Sequence, residues 1–319
     1  MAKNTTALKR GFHYDPINKD LGIYLNGVQM ESYSEVPGRT YYVNNITGAS
    51  TNDGLSWGSA FDEVTTAITA QIAYSLAKTG VAPTAAGIYG RDRILVMGTG
   101  TTYANIATLP QMCDVIGVGA TTYGDGTGIA RIGLAGYDGI AGTARGLGLY
   151  NLQFQAPTGQ YCADFVSLFR SEIAYCTFQS RITDAAAGIR FSGASSGNWI
   201  HNCLWTAGGG AAWSTIGIDI RGASFNNNVI ENNHIVATQC GIYVVSTCVD
   251  AGGTIVRNNT FGGEGLAWGV DDNATNGTIM YSGNYLFVPA GQGGALVDAG
   301  TARWVCNYSA ATFSAVTGS

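Results

Sequence analysis

Two short phrases recur in order along residues 188–287, and this repetition limits the fold more than any other feature of the chain. The first reads Gly188-Ile189-Arg190-Phe191, then Gly217-Ile218-Asp219-Ile220, Gly241-Ile242-Tyr243-Val244 and Gly269-Val270-Asp271-Asp272. The second runs between its copies: Ile200-His201-Asn202, then Ile230-Glu231-Asn232-Asn233-His234-Ile235, then Val256-Arg257-Asn258-Asn259-Thr260-Phe261. The first phrase returns after 29, 24 and 28 residues (217−188, 241−217, 269−241). Periods of about 20–50 residues mark solenoids and related arrays. Each period holds short β-type runs separated by Gly, Asn and Ser, with no helical spacing.

A parallel β-helix accounts for these features together. Each period is one coil, and each phrase is a short strand stacked on its copy in the next coil, ~4.8 Å away. Alternation places Ile200, Ile230 and Val256 inside and His201, Glu231 and Arg257 outside. Asn202, Asn232 and Asn258 then fall at a corner, where their amides are expected to stack and bond along the axis. An ordinary β-sandwich with turn-rich loops is the competing fold, but it does not require phrases to recur in order.

Composition agrees with strands joined by tight turns. Of 319 residues, 46 are glycine, and charged residues make up 12%, about half the usual share. The formal charge of −5 carries no polyanion-binding signal, which disfavours a nucleic-acid partner. The seven cysteines, Cys113, Cys162, Cys176, Cys203, Cys240, Cys248 and Cys306, are odd in number and contain no Cys-x-x-Cys pair. Neither a zinc site nor a disulfide framework is indicated, and no metal or cofactor is expected. They read as small apolar fillers of a core made in a reducing cytoplasm. Met1 to Arg10 is polar and basic, without the apolar stretch of a signal peptide. No apolar run is long enough to cross a membrane.

The chain divides into four parts. Residues 1–39 form an N-terminal arm and β-hairpin anchor. Phe12-His13-Tyr14 and Ile23-Tyr24-Leu25 read as strands, with turn signals at Asp15-Pro16-Ile17-Asn18 and Asn26-Gly27. Residues 40–92 hold a leading strand, Tyr41-Tyr42-Val43, and a capping helix. Phe61, Val64, Ile68, Ile72 and Leu76 carry helical spacing to about Lys78, with Ser56 or Ser59 as N-cap. Residues 93–287 are the β-helix, and residues 288–319 are a C-terminal cap or tail.

The passage Tyr42-Val43, Asn52-Asp53-Gly54-Leu55-Ser56-Trp57, Ala60-Phe61, Ile94-Leu95-Val96-Met97 and Gly100-Thr101-Thr102-Tyr103 resembles the start of right-handed parallel β-helix proteins of the pectate-lyase-like superfamily. That superfamily includes polysaccharide lyases, glycoside hydrolases and many bacteriophage tail-spike and virion proteins. The resemblance covers roughly residues 40–290 and implies an all-β, right-handed, single-stranded solenoid with one N-terminal capping helix. It says less about function, because this fold hosts catalysts and inert structural proteins alike.

Chemistry is sparsely encoded. His13 lies in the N-terminal strand, and His201 and His234 lie within the repeat, where a ladder role is the ordinary one. The second positions after the repeat glycine align as Arg190, Asp219, Tyr243 and Asp271 and should point outward from one sheet. Asp219 and Asp271 then stand two coils apart, ~9–10 Å between backbones, compatible with an inverting glycosidase pair. Arg190 and Tyr243 are candidate sugar-binding residues, and a solvated polar column is the plainer alternative. Polygalacturonase-like enzymes resemble one another in Asn-Thr-Asp, Asp-Asp, His-Gly and Arg-Ile-Lys motifs; only Asp271-Asp272 occurs here. Asp250, Asp271 and Asp272 are too scattered for the calcium cluster of pectate lyases.

The function expected from these readings is a structural component of a bacteriophage particle, a head decoration, spike or tail spike, located in the virion. A rigid, low-charge solenoid without an export signal suits a particle released by lysis. Alternatives are a phage depolymerase, either hydrolase or lyase, acting on host surface polysaccharide, and a carbohydrate-binding surface protein. Expected partners are other virion proteins through residues 1–39, a host glycan, and the chain itself. Trp199, Val229, Ile255 and Ile279, each preceding an expected core residue (Ile200, Ile230, Val256, Met280), turn outward under strict alternation. Such an apolar column marks an interaction surface, here the contact of a homotrimer. A one-residue slip, or cover from residues 155–170 or the C-terminal tail, are the competing explanations.

Overall fold

The structure is a computed structural model. It describes residues 10–15, 20–25, 28–32, 38–79, 91–120, 128–133, 136–157, 159–180, 185–207, 214–263, 266–275, 279–287, 295–298, 303–309 and 314–316. The chain is mostly β, and its parallel sheets form a β-solenoid of about five turns, with one α-helix, Val64–Thr79. That helix is the longest among the described residues, and none there is long and apolar enough to cross a membrane.

Three sheets run along the solenoid. One coil illustrates the path. Trp199–His201 lies in sheet 1, Leu204–Ala207 in sheet 2 and Ile216–Ile220 in sheet 3, and the chain then returns to sheet 1 at Val229–Glu231. Sheet 1 starts with Thr40–Val43 and Asp92–Met97 and continues to Arg303–Val305. Parallel pairing therefore extends beyond residues 93–287 on both sides. Sheet 2 ends with Asn307–Ser309, on which Ser314–Val316 folds back antiparallel.

The expected inward column is in place. Ile173, Ile200, Ile230 and Val256 are aligned on successive coils and buried. Aromatic rings stack in the same manner, Phe154 on Phe178 on Trp205 under sheet 2, and Phe165 on Phe191 on Phe225 under sheet 3. The repeat glycines belong to this packing. A Cβ on Gly188 would fall on the Trp205 indole, and one on Gly241 on the Phe261 ring. Glycine is thus required where a large sheet-2 side chain leans across the sheet-3 strand of the preceding coil.

Five successive sheet-1 strands, from Gly148–Tyr150 to Ile255–Arg257, are bounded by left-handed backbone on both sides. Gly146, Arg170, Gly197, Asn227 and Gly253 precede the strands, and Asn151, Tyr175, Asn202, Asn232 and Asn258 follow them, all at φ between 49° and 72°. Asn is among the few non-glycine residues that tolerate this conformation. The corner assignment of Asn202, Asn232 and Asn258 holds, but the amide ladder lies one residue later. Asn233, Asn259, Asn284 and Asn307 are buried and linked from Nδ2 to Oδ1 at 3.0 Å along the axis. The left-handed residue bends the chain so that the next side chain points inward, onto backbone groups that the corner leaves unpaired. A shorter ladder, Asn198 to Asn228, occupies the opposite corner of sheet 1.

Other expectations need correction. The helix begins at Val64, not at Phe61, which lies before it, buried and bridged to Val43. Ser56 caps the short 3-10 turn Trp57–Ser59 rather than the helix. Leu76 is exposed, because the buried stripe is Val64, Ala67, Ile68 and Gln71. His201 and Glu231 face outward as alternation requires, yet both are largely covered by neighbouring side chains. At the N-terminus, Arg10–Asp15, Asp20–Leu25 and Val28–Ser32 form an antiparallel sheet, with Asp15 opposite Asp20 and Leu25 opposite Val28. The turn residues 16–19 and 26–27 lie outside the described residues, as do residues 1–9 and 33–37 of the expected anchor and residues 288–294, 299–302, 310–313 and 317–319 of the expected C-terminal cap or tail.

Six cysteines are buried fillers and only Cys306 is exposed. Burial pushes the Cys162 and Cys240 thiols up to about 12 and raises those of Cys113 and Cys203 well above the ordinary thiol value. The thiolate is the reactive form. A thiol reagent is therefore expected to titrate one cysteine in the native protein and seven in denaturant; rapid labelling of more than one would mean that the coils open.

Candidate functional site

The outer face of sheet 3 brings the candidate site residues into one column. Its register runs Asp164, Arg190, Asp219, Tyr243, Asp271, one residue per coil. The strands set this spacing, because identical register in each coil repeats the same outward position along the axis. Asp219 and Asp271 stand two coils apart with Tyr243 between them, as the phrase alignment requires.

Asp164 is nearly buried and is gripped by Arg190, with Ser192 donating to Oδ1 at 2.9 Å. The Arg190 guanidinium also lies over the Tyr161 ring, 3.7 Å from its centre, a cation–π arrangement. Asp219 is only 2% exposed. Its Oδ2 accepts from Arg221 Nε at 2.7 Å, while Oδ1 is buried without a hydrogen-bond partner among the described residues. Burial holds this carboxyl above the usual carboxylate range, against the lowering effect of Arg221. Arg221 is half-exposed, and its guanidinium lies 5.7 Å from the Tyr243 ring centre. Asp138, close enough to Asp164 and Arg190 to feel their charges, is likewise raised by burial and accepts from the Tyr161 backbone N–H at 2.8 Å. Asp271 is half-buried and accepts from Asn273 Nδ2 at 2.6 Å.

A carboxylate oxygen kept from water with no donor is costly, of order 1–3 kcal/mol. Such a group is a place where a ligand donor is gained rather than exchanged for a protein one. Asp164, Tyr161 and Arg221 were not singled out in the sequence. Arg221 was within reach of the alternation rule, two residues beyond Asp219 and so on the same face. Asp164 was hidden because the glycine of the first phrase is replaced by Cys162 in its coil.

Sheet 1 carries a second, different outer face. Trp199, Val229, Ile255 and Met280 form its apolar column. Ile279, expected there, is buried, and Met280 takes the outward position, since Tyr281 rather than Met280 pairs with Val256. Trp199 is 43% exposed, stacks on His201 at 4.0 Å between ring centres, and donates from Nε1 to Glu231 at 2.7 Å. Polar side chains flank the column: Tyr150 donates to Glu172, which also meets His201 Nε2 at 3.0 Å, and Arg257 holds Glu231 below the usual carboxylate range.

In comparisons with protein-family models, curated proteins and solved structures, nothing matches the chain.

Proposed function

We propose that the chain is a structural component of a bacteriophage particle, a head decoration, spike or tail spike, attached through residues 1–39 and exposing its solenoid. The observation that supports this reading is the small antiparallel sheet of residues 10–32, which pairs with no solenoid strand among the described residues. Strands of five and six residues in a three-stranded sheet are near the lower limit of independent stability and gain by docking on a partner. The solenoid is read as right-handed and single-stranded, of the pectate-lyase-like kind. The helix serves as its N-terminal cap, since an open first coil needs cover. Trp199, Val229, Ile255 and Met280 are assigned to a homotrimer contact.

Deleting residues 1–39 is expected to leave a cooperatively melting solenoid that is absent from purified particles. Incorporation of the truncated chain at the parental level rejects the anchor.

A second reading rests on the partnerless oxygen of Asp219. On this reading the outer face of sheet 3 binds a host surface glycan, and Asp219 with Asp271 forms an inverting pair that cleaves it. Release of oligosaccharides from capsule or lipopolysaccharide by purified protein separates a depolymerase from a structural protein.

A further inference from the structure

We infer that the Asp219 column on sheet 3 is a subsite for an uncharged sugar ring, with a ligand hydroxyl donating to Asp219 Oδ1. This inference rests on the second reading above, that sheet 3 meets a glycan, and adds the class of glycan. The buried oxygen needs a hydrogen-bond donor. An anionic group brings none, and it would meet Asp164, Asp219 and Asp271 in a column whose cations among the described residues are Arg190 and the adjoining Arg221. A cationic group brings a donor but must sit beside both guanidiniums, one bonded to Asp219 and the other in the adjacent coil. A hydroxyl supplies the donor without net charge. The half-buried ring of Tyr243, in register with Asp219 one coil along, offers an aromatic face beside it, the kind of surface on which a pyranose ring packs.

Access follows from Arg221. Its side chain is 47% exposed and its Nε holds Asp219 Oδ2. Release of that bond to solvent is the proposed route to the carboxylate, with the Asp164–Arg190 pair left in place. The remaining carboxylates then favour a ligand that pairs hydroxyls with carboxylate oxygens, and binding of that kind is insensitive to salt because no net charge is neutralised.

The test uses the full-length chain and three probes: linear neutral hexose oligosaccharides, a galacturonate oligosaccharide and a chitosan oligosaccharide, titrated by calorimetry at low and high salt. Binding of a neutral probe is expected, unchanged by salt and weakened about tenfold or more, some 1.4 kcal/mol, in Asp219→Ala. Tyr243→Ala, at a half-buried outward position, repeats the test if Asp219→Ala does not fold, and far-ultraviolet circular dichroism checks each variant. Asp219-dependent binding of the galacturonate or chitosan probe alone overturns the assignment to neutral sugars while keeping sheet 3 as a glycan face. Failure of all three probes, or binding indifferent to both substitutions, overturns the inference and the glycan reading together.

Discussion

Asn259→Ala is expected to cost about 3–5 kcal/mol of stability, one of the largest effects of any single polar substitution in this chain. Asn259 uses all four of its hydrogen-bonding positions. Nδ2 donates to Ile230 O and to Asn284 Oδ1, and Oδ1 accepts from the Asn233 backbone N–H and Asn233 Nδ2, each at 3.0 Å. Truncation removes four hydrogen bonds in a site with no exposure; Asn284 Oδ1 keeps the Asn259 backbone N–H and Asn233 Nδ2 keeps Ile200 O, but the Asn233 backbone N–H and Ile230 O lose their side-chain partner, at about 1–3 kcal/mol for each group left unpaired. The neighbouring Asn258 is the control. It is exposed and holds the left-handed corner at φ 54°, so Asn258→Gly keeps the backbone and removes only a solvent-facing amide. Urea denaturation checks both variants. A lower midpoint for Asn259→Ala at constant slope, with Asn258→Gly close to the parent, is the expected result. A larger loss for Asn258→Gly would return the ladder to the residue that the repeat first suggested.

The one-residue displacement of that ladder illustrates how far the sequence could be read. Period and alternation are local properties, and they gave the solenoid, the Ile200–Ile230–Val256 column and the alignment of Arg190, Asp219, Tyr243 and Asp271. They fail where the backbone leaves extended geometry. A left-handed residue rotates the next side chain by far more than a strand does, so Asn259 rather than Asn258 points inward. The same weakness moved Met280 outward: no second phrase marks that coil, and only the pairing of Tyr281 with Val256 fixes it. Phe61 and Leu76 misplace the helix for another reason. Both fit helical spacing, but Phe61 is drawn into a bridge with Val43 and Leu76 lies off the buried stripe. At the candidate site, the residues on one strand position were legible. The partners that reach across coils, Asp164 and Tyr161, depend on strands without the glycine phrase and emerge only from the pairing.

Ile230→Asp is expected to unfold the central coils, at a cost of about 5 kcal/mol or more. Ile230 has no exposure and is aligned between Ile200 and Val256. The substitution removes a buried side chain, which alone costs about 2–5 kcal/mol, and places a carboxyl among apolar neighbours without a partner. Burial would raise the pKa of the new carboxyl in the folded state above its unfolded value. The penalty is then smallest at acid pH, where the group is neutral in both states, and grows as pH rises through the unfolded value toward the folded one. A melting temperature that falls more steeply with pH than the parent's is the signature. Trp199→Glu, one residue earlier in the adjacent coil, is the opposing case. Trp199 faces outward, so the variant loses the indole contact with His201 and gains like charges beside Glu172 and Glu231, a cost of about 1–2 kcal/mol. It should melt cooperatively near the parent, while its solution mass falls from trimer to monomer if the apolar column is the contact between copies. A parent that is already monomeric rejects that contact. Unfolding by Trp199→Glu together with a parental melt for Ile230→Asp would mean that the two columns exchange faces, and that the slipped alternation, not the one described, organises sheet 1.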